Sequence, residues 1–186
     1  MRQLSENILD ITMNSVRAGA SLISVILTED PPMLTITIAD NGCGMTAEFL
    51  EKVVDPFCTT RTTRKVGLGI PFFKMEAEQT GGSFSIESTP NVGTTVTASF
   101  DQSSIDALPL GDMPETVMTL ISSGPDRDFL FLHARPQEEI RLDTRELRGQ
   151  LGDLPLDTPE VLLWVRDYLR EQYGENDPDR SVPNQS

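Results

Sequence analysis

Apolar and polar positions along the first hundred residues change period several times, and each change marks an element. Leu4, Ile8, Ile11 and Val16 recur at helical spacing, and Gly19 closes that helix. "SLISVILTED" and "MLTITIAD" then alternate with the two-residue period of half-buried strands, joined by a Pro31-Pro32 turn as a hairpin. "TAEFLEKVV" returns to helical spacing with Thr46 placed to cap it, and "GIPFFKMEAEQTGG" is a further helix stopped by Gly81-Gly82. "SFSIEST" and "GTTVTASF" alternate around a turn centred on Asn91. Residues 1–100 therefore predict an α/β two-layer sandwich: a mixed, largely antiparallel sheet with helices on one face.

Beyond Asp101 the pattern loosens. A short helix is predicted between Pro114 and Ser122, strands over "FLFLHA" and "EIRLDT", and a long helix over "TPEVLLWVRDYLREQYG". Thr158 caps the last of these, Pro159 suits its first position, Gly174 ends it, and Val161, Leu162, Val165 and Leu169 form its apolar stripe. Trp164 and Tyr168 stand off the centre of that stripe, as an exposed patch or as core. The organisation expected is an N-terminal domain over 1–100, a small C-terminal α+β extension over 101–173 that extends the sheet or stands as a subdomain, and a polar, disordered tail over 174–186.

Composition narrows the function classes. The chain has 186 residues, 38% hydrophobic, and a net charge of −14. That charge speaks against nucleic acid or anionic lipid as partner, since both require a basic footprint. No apolar run approaches a membrane span, and Glu6 and Asp10 interrupt the region where a signal peptide is apolar, so a cytoplasmic location without membrane insertion is expected. Cys43 and Cys58 lack the spacing of a zinc site or of a disulfide framework.

Two glycine clusters bracket the candidate chemistry. Asp40 ends a strand and is followed at once by Asn41-Gly42-Cys43-Gly44, where a flat ligand can lie against backbone while the carboxylate accepts a hydrogen bond. Gly67-Leu68-Gly69 opens a helix, whose amides and dipole favour phosphate. Neither GxxxxGK[ST] nor GxGxxG is present. A base-reading acid followed by a phosphate-holding helix start describes a nucleotide site.

In order and content, these pieces resemble the GHKL ATPases, the Bergerat-fold group of type II topoisomerases, the ninety-kilodalton heat-shock chaperone, histidine kinases and mismatch-repair ATPases. "ILDITMNSVRAGAS" resembles their N box, "DNGCGM" the G1 box, "DPFCTTR" the F box, "GLGI" the G2 box, and "GTTVTASF" the closing strand. The resemblance spans Leu4 to Phe100. It implies ATP and Mg²⁺ as cofactors, with Asn14 as the metal ligand and Arg17 facing the phosphates. It further implies Asp40 on the adenine amino group, Gly42 and Gly44 beside the base, and Thr94 or Thr95 reaching the adenine. Gly67, Leu68 and Gly69 would meet the phosphates, as would Thr60, Arg61 and Lys65 with Arg64 in a short basic lid.

Asp10 stands where hydrolysing members carry a glutamate base, one methylene longer. The resemblance leaves it two roles, general base or additional Mg²⁺ ligand. A sensor histidine kinase carries its phosphoacceptor histidine in a helical hairpin ahead of the ATP-binding domain. The sequence opens instead at the N-box helix, and its single histidine, His133, lacks an acceptor's acidic neighbour and reads as structural. The expectations are therefore a small ATPase or protein kinase acting on a partner protein, or a regulatory module that binds ATP and ADP without significant turnover.

Overall fold

A computed structural model describes residues 2–55 and 68–174. Strands β1 (Leu22–Asp30) and β2 (Met33–Asp40) pair antiparallel from Asp30↔Met33 at the turn to Ile23↔Asp40 at the open end. The hairpin is the centre of one six-stranded sheet. Strand β4 (Gly93–Asp101) lies antiparallel beside β2, and β3 (Phe84–Thr89) beside β4 at the edge. On the other side β5 (Asp128–Ala134) runs parallel to β1, and β6 (Glu139–Asp143) pairs antiparallel with β5. The order β3-β4-β2-β1-β5-β6 makes the sheet mixed and largely antiparallel, as expected. The C-terminal strands extend this sheet rather than founding a second one.

The period-two pattern puts Ile23, Val25 and Leu27 of β1, Leu34, Ile36 and Ile38 of β2, and Val96, Ala98 and Phe100 of β4 on one buried face. Phe129 and Phe131 of β5 continue it. Helix α1 (Leu4–Arg17) crosses this face, burying Leu4, Ile8 and Ile11. It packs between α3 (Gly69–Gln79) and α4 (Met113–Ser123), and α4 packs in turn on α6 (Pro159–Tyr173). The short α2 (Ala47–Val53) begins at Thr46, whose hydroxyl accepts from the Phe49 N–H at 3.2 Å.

α1 has no side-chain cap of its own. Its first amides, Leu4 N–H and Ser5 N–H, donate instead to the carbonyls of Pro109 and Leu110 at 3.0 and 2.8 Å. The segment leading into the C-terminal part thus completes the first helix of the chain.

Two features differ from the sequence expectations. Helix α5 (Thr144–Leu151) was not anticipated; Asp143 caps it through the Arg145 N–H at 3.0 Å, and the Asp-x-x-Glu step from Asp143 to Glu146 was its available signal. Thr158 occupies the N-cap of α6 but makes no cap bond, because its hydroxyl donates back to the Pro155 carbonyl at 2.7 Å. The two settings open to Trp164 and Tyr168 are divided between them: Trp164 is half exposed and stacks, with centroids 5.2 Å apart, on Tyr168, which is partly buried against the core. Among the described residues no helix is long and apolar enough to cross a membrane.

Candidate functional site

At the open end of the β1–β2 ladder a pocket of about 500 Å³ lies between α1, the sheet and α2. Its floor is apolar, from Ile11 of α1, Ile38 of β2, Val96 of β4 and Ile70 of α3, with Met45 and Phe49 closing one side. Into this apolar setting project Asn14, Ser15 and Arg17 of α1, Asp40 at the end of β2, and Thr94 of β4.

Asp40 is aimed by two donors. Ser15 Oγ donates to Oδ2 at 2.6 Å and the Gly42 N–H to Oδ1 at 2.9 Å. Four lone-pair sites on a carboxylate leave acceptor capacity after both bonds. Neighbouring Asn41 is structural: its Oδ1 accepts from the Ser21 and Leu22 N–H groups at 2.8 and 3.0 Å, locking the loop to the start of β1.

The loop glycines answer to the chain itself. A Cβ on Gly42 would stand 2.8 Å from the Ala18 Cβ, and one on Gly44, whose φ is +67°, would stand 2.1 Å from the Thr89 carbonyl oxygen. Bonds from Cys43 N–H to Ala18 O and from Asn91 N–H to Cys43 O fasten the loop on both sides.

Asn14 and Arg17, one turn apart, meet at the pocket wall, where the Arg17 guanidinium donates to Asn14 Oδ1 at 3.2 Å. Asp10, a further turn back, is exposed and does not line the pocket. It lies beside the start of α3: a Cβ on Gly69 would stand 3.0 Å from the Asp10 Cβ. Gly69 thus leaves room for α1 against the start of α3, and Leu68 occupies the N-cap of α3. Thr94 faces the pocket, whereas Thr95, next along β4, alternates to the opposite face of the sheet. Thr60, Arg61, Arg64, Lys65 and Gly67 lie outside the described residues.

A second, larger cleft of about 760 Å³ opens at the turn end of the same hairpin, between Pro31-Pro32, the 109–114 segment and the end of α6. Its floor is His133, fully buried. Glu29 Oε1 lies 2.8 Å from Nε2 and the Tyr173 hydroxyl 2.7 Å from Nδ1. Burial pushes the imidazole pKa below its ordinary value, against the opposing pull of the Glu29 carboxylate. A neutral ring beside a carboxylate carries its proton on Nε2, so Nδ1 accepts from Tyr173; every polar position of the ring is used. His133 is structural, as its sequence setting implied.

Between α1 and α3 lies one more buried group, Glu76, which accepts from the Asn7 amide and faces Arg2 at 3.4 Å. Burial raises its carboxyl above 4.5, with Arg2 and Asn7 acting against that rise.

The family described as histidine kinase-, DNA gyrase B- and HSP90-like ATPases matches residues 1–104, more than half of the chain. The chain belongs to this family. Its fold is the Bergerat α/β sandwich, and the pocket at Asp40 falls within the matched span.

Among curated proteins, the chain is 32% identical over 98 residues to the sensor histidine kinase ZraS of Klebsiella oxytoca, covering 51% of this chain and 21% of that protein. It is 30% identical over 98 residues to sporulation kinase B of Bacillus subtilis, covering 51% and 23%. The chain spans about a fifth of the length of these relatives. Among solved structures, the Aquifex aeolicus MutL ATPase domain complexed with ADP aligns with a TM-score of 0.47 at 15% identity, over 75% of this chain and 64% of that one.

Ser15 was missed by sequence reasoning. It stands next to Asn14 in the N box, but nothing local shows that its hydroxyl faces Asp40. The apolar walls, Phe49 and Val96 among them, read only as core.

Proposed function

We propose that the protein binds Mg-ATP in the Asp40 pocket and uses it as a small ATPase or phosphotransferase acting on a partner protein. The observation that carries this reading is Asp40 itself. Its carboxylate is held at a fixed angle by Ser15 and Gly42 at the edge of an apolar slot. Such a slot takes the flat face of a purine, and the carboxylate's remaining lone pairs take an amino group. Asn14 and Arg17 line the same pocket from α1, and the earlier part of that helix, at Asp10, lies beside the start of α3, the end suited to phosphates by helix geometry.

The donor set fits Mg²⁺. Asn14 supplies an amide oxygen, the hard ligand that this ion prefers, and Mg²⁺ commonly takes few protein ligands beside phosphates and water. The ion, when bound, offsets the charge of the phosphates. Arg17, now donating to Asn14 Oδ1, would release that oxygen by turning its guanidinium to the phosphate chain. Asp10, beside Gly69, would be the carboxylate that takes a proton from attacking water or an acceptor hydroxyl.

One observation favours a second reading, a nucleotide-dependent binding module with little turnover. Asp10 is exposed and a methylene shorter than glutamate, and a base acts only within hydrogen-bond reach of the proton it removes.

Calorimetry with ATP and ADP in the presence of Mg²⁺ tests the shared part of both readings. Asp40→Ala is expected to weaken both nucleotides by roughly 10–100-fold, the loss of a charge-assisted hydrogen bond of about 1.5–3 kcal/mol. Unchanged binding would remove the adenine assignment. Steady-state phosphate release from wild type separates enzyme from module.

A further inference from the structure

Three polar side chains form a row across neighbouring strands at the nucleotide end of the sheet. Ser88 of β3 pairs with Thr94 of β4, and Thr94 pairs with Asp40 of β2. Thr94 and Asp40 line the pocket; Ser88 stands behind Thr94 and does not.

The hydrogen-bond account of Ser88 closes. A hydroxyl has one proton and two lone pairs. Ser88 Oγ accepts from the Met45 N–H at 2.8 Å and donates to the Gly93 carbonyl at 3.1 Å. One lone pair is left, and Thr94 Oγ1 lies 2.7 Å away. With the serine proton on Gly93, this short contact is made by the threonine donating. Thr94 has then used its only proton and turns lone pairs alone toward the pocket, next to the Asp40 carboxylate.

We infer that Ser88 is a positioning residue that fixes the Thr94 hydroxyl as a hydrogen-bond acceptor and thereby makes the pocket select 6-amino over 6-oxo purine nucleotides. The inference rests on the nucleotide reading above and deepens it. A 6-amino group brings two N–H donors to two acceptors, Asp40 and Thr94. A 6-oxo group brings a third acceptor, and leaving buried polar groups unpaired is what makes such sites selective. Ser88 also holds the backbone of Met45, so the same hydroxyl ties the base-reading row to the loop that closes over it.

The test is calorimetric titration of the full chain with ATP and with inosine triphosphate, which presents an oxo group at the same position. Wild type is expected to prefer ATP. In Ser88→Ala the Thr94 proton is freed to donate. ATP affinity should then fall roughly 3–10-fold while that of inosine triphosphate holds or rises, so their ratio contracts by at least that factor. Ser88→Thr, which keeps a hydroxyl, should restore the ratio. Equal losses for the two nucleotides, or an unchanged ratio, would overturn the assignment, since a merely structural residue moves both alike. If Ser88→Ala does not fold by thermal melting, Ser88→Cys carries the same comparison, its thiol being a poor acceptor of similar size. Wild type that binds neither nucleotide would remove the nucleotide reading itself, before any variant is compared.

Discussion

At the open end of the β1–β2 ladder, Asp40 is held by Ser15 and Gly42 and still turns acceptor capacity toward a pocket. At the turn end, Glu29 is held against His133, and His133 in turn against Tyr173. Both clusters put a carboxylate at the margin of the same buried sheet face. The cavity beside the histidine is the larger, about 760 against 500 Å³. Volume would choose the wrong end. What separates them is hydrogen-bond completeness: the histidine has a partner on each nitrogen, whereas the aspartate is aimed but not saturated. A polar group whose positions are all used stabilises a fold; one oriented with capacity to spare is ready for a ligand.

Variants at the two ends should therefore fail differently. The largest effect is expected for Asp10→Asn: if the protein turns over ATP, the rate should fall by about 10²–10⁴, as for loss of a general base, with melting temperature and ATP affinity nearly unchanged. Phosphate-release kinetics beside thermal melting would show this. A rate that the substitution leaves untouched would take Asp10 out of the mechanism.

His133→Ala should do the reverse. Removing a fully buried ring takes away one hydrogen bond of the Tyr173 hydroxyl and leaves a cavity, for a loss of about 2–4 kcal/mol in denaturant unfolding. ATP affinity should stay within about twofold. A tenfold loss of affinity would mean that the ends are coupled, and the contrast drawn between them would fail.

The pH dependence of stability gives a smaller and signed effect. Burial holds the folded His133 pKa below its ordinary 6.5, so the unfolded chain takes up the proton first as pH falls. The contribution of the neutral ring is complete above about pH 6.5 and is lost as pH drops through the folded value. Glu76 has the opposite sign: its raised pKa favours the folded state as pH falls toward 4.5. Melting temperature should thus decline from pH 7 toward 5.5, and His133→Gln, which does not titrate, should flatten that limb. A decline that persists in His133→Gln would assign it to another group.

The mildest change is Ser15→Ala. Asp40 keeps its charge and its Gly42 bond but loses one orienting donor, so ATP binding should weaken by roughly 2–10-fold. No loss by calorimetry would mean that Gly42 alone suffices to aim the carboxylate.

The parts of the molecule legible in sequence are those with a local physical signature. Strict alternation marks β1, β2 and β4, and positive φ explains Gly44 and Gly81. Asp40 stood out because it sits between a strand and a glycine loop. The rest depends on register, which one strand read alone does not contain. Ser88 meets Thr94 only because β3 and β4 pair with that offset, and Ser15 meets Asp40 only once α1 is laid across the sheet. Glu29, His133 and Tyr173 come together over 104 and 40 residues of chain. Periodicity likewise found "FLFLHA" as a strand, but its parallel place beside β1 is a matter of topology. Helix α5 went unseen for a different reason: it is only eight residues long and mostly polar, with Leu147 buried and Leu151 partly buried as its apolar side chains.

The bonds from Leu4 and Ser5 to the carbonyls of Pro109 and Leu110 bear on where this protein can be cut. The family match stops at residue 104, before either acceptor. A fragment ending there would leave two amides at the head of the Asn14 helix without partners and would strip β5 from β1, exposing a long apolar strand edge at the middle of the sheet. The boundary that homology draws is therefore not one that the molecule would survive. A fragment covering the matched span alone should associate through its bare β1 edge, because the N-terminal helix and the centre of the sheet both lean on residues beyond 104.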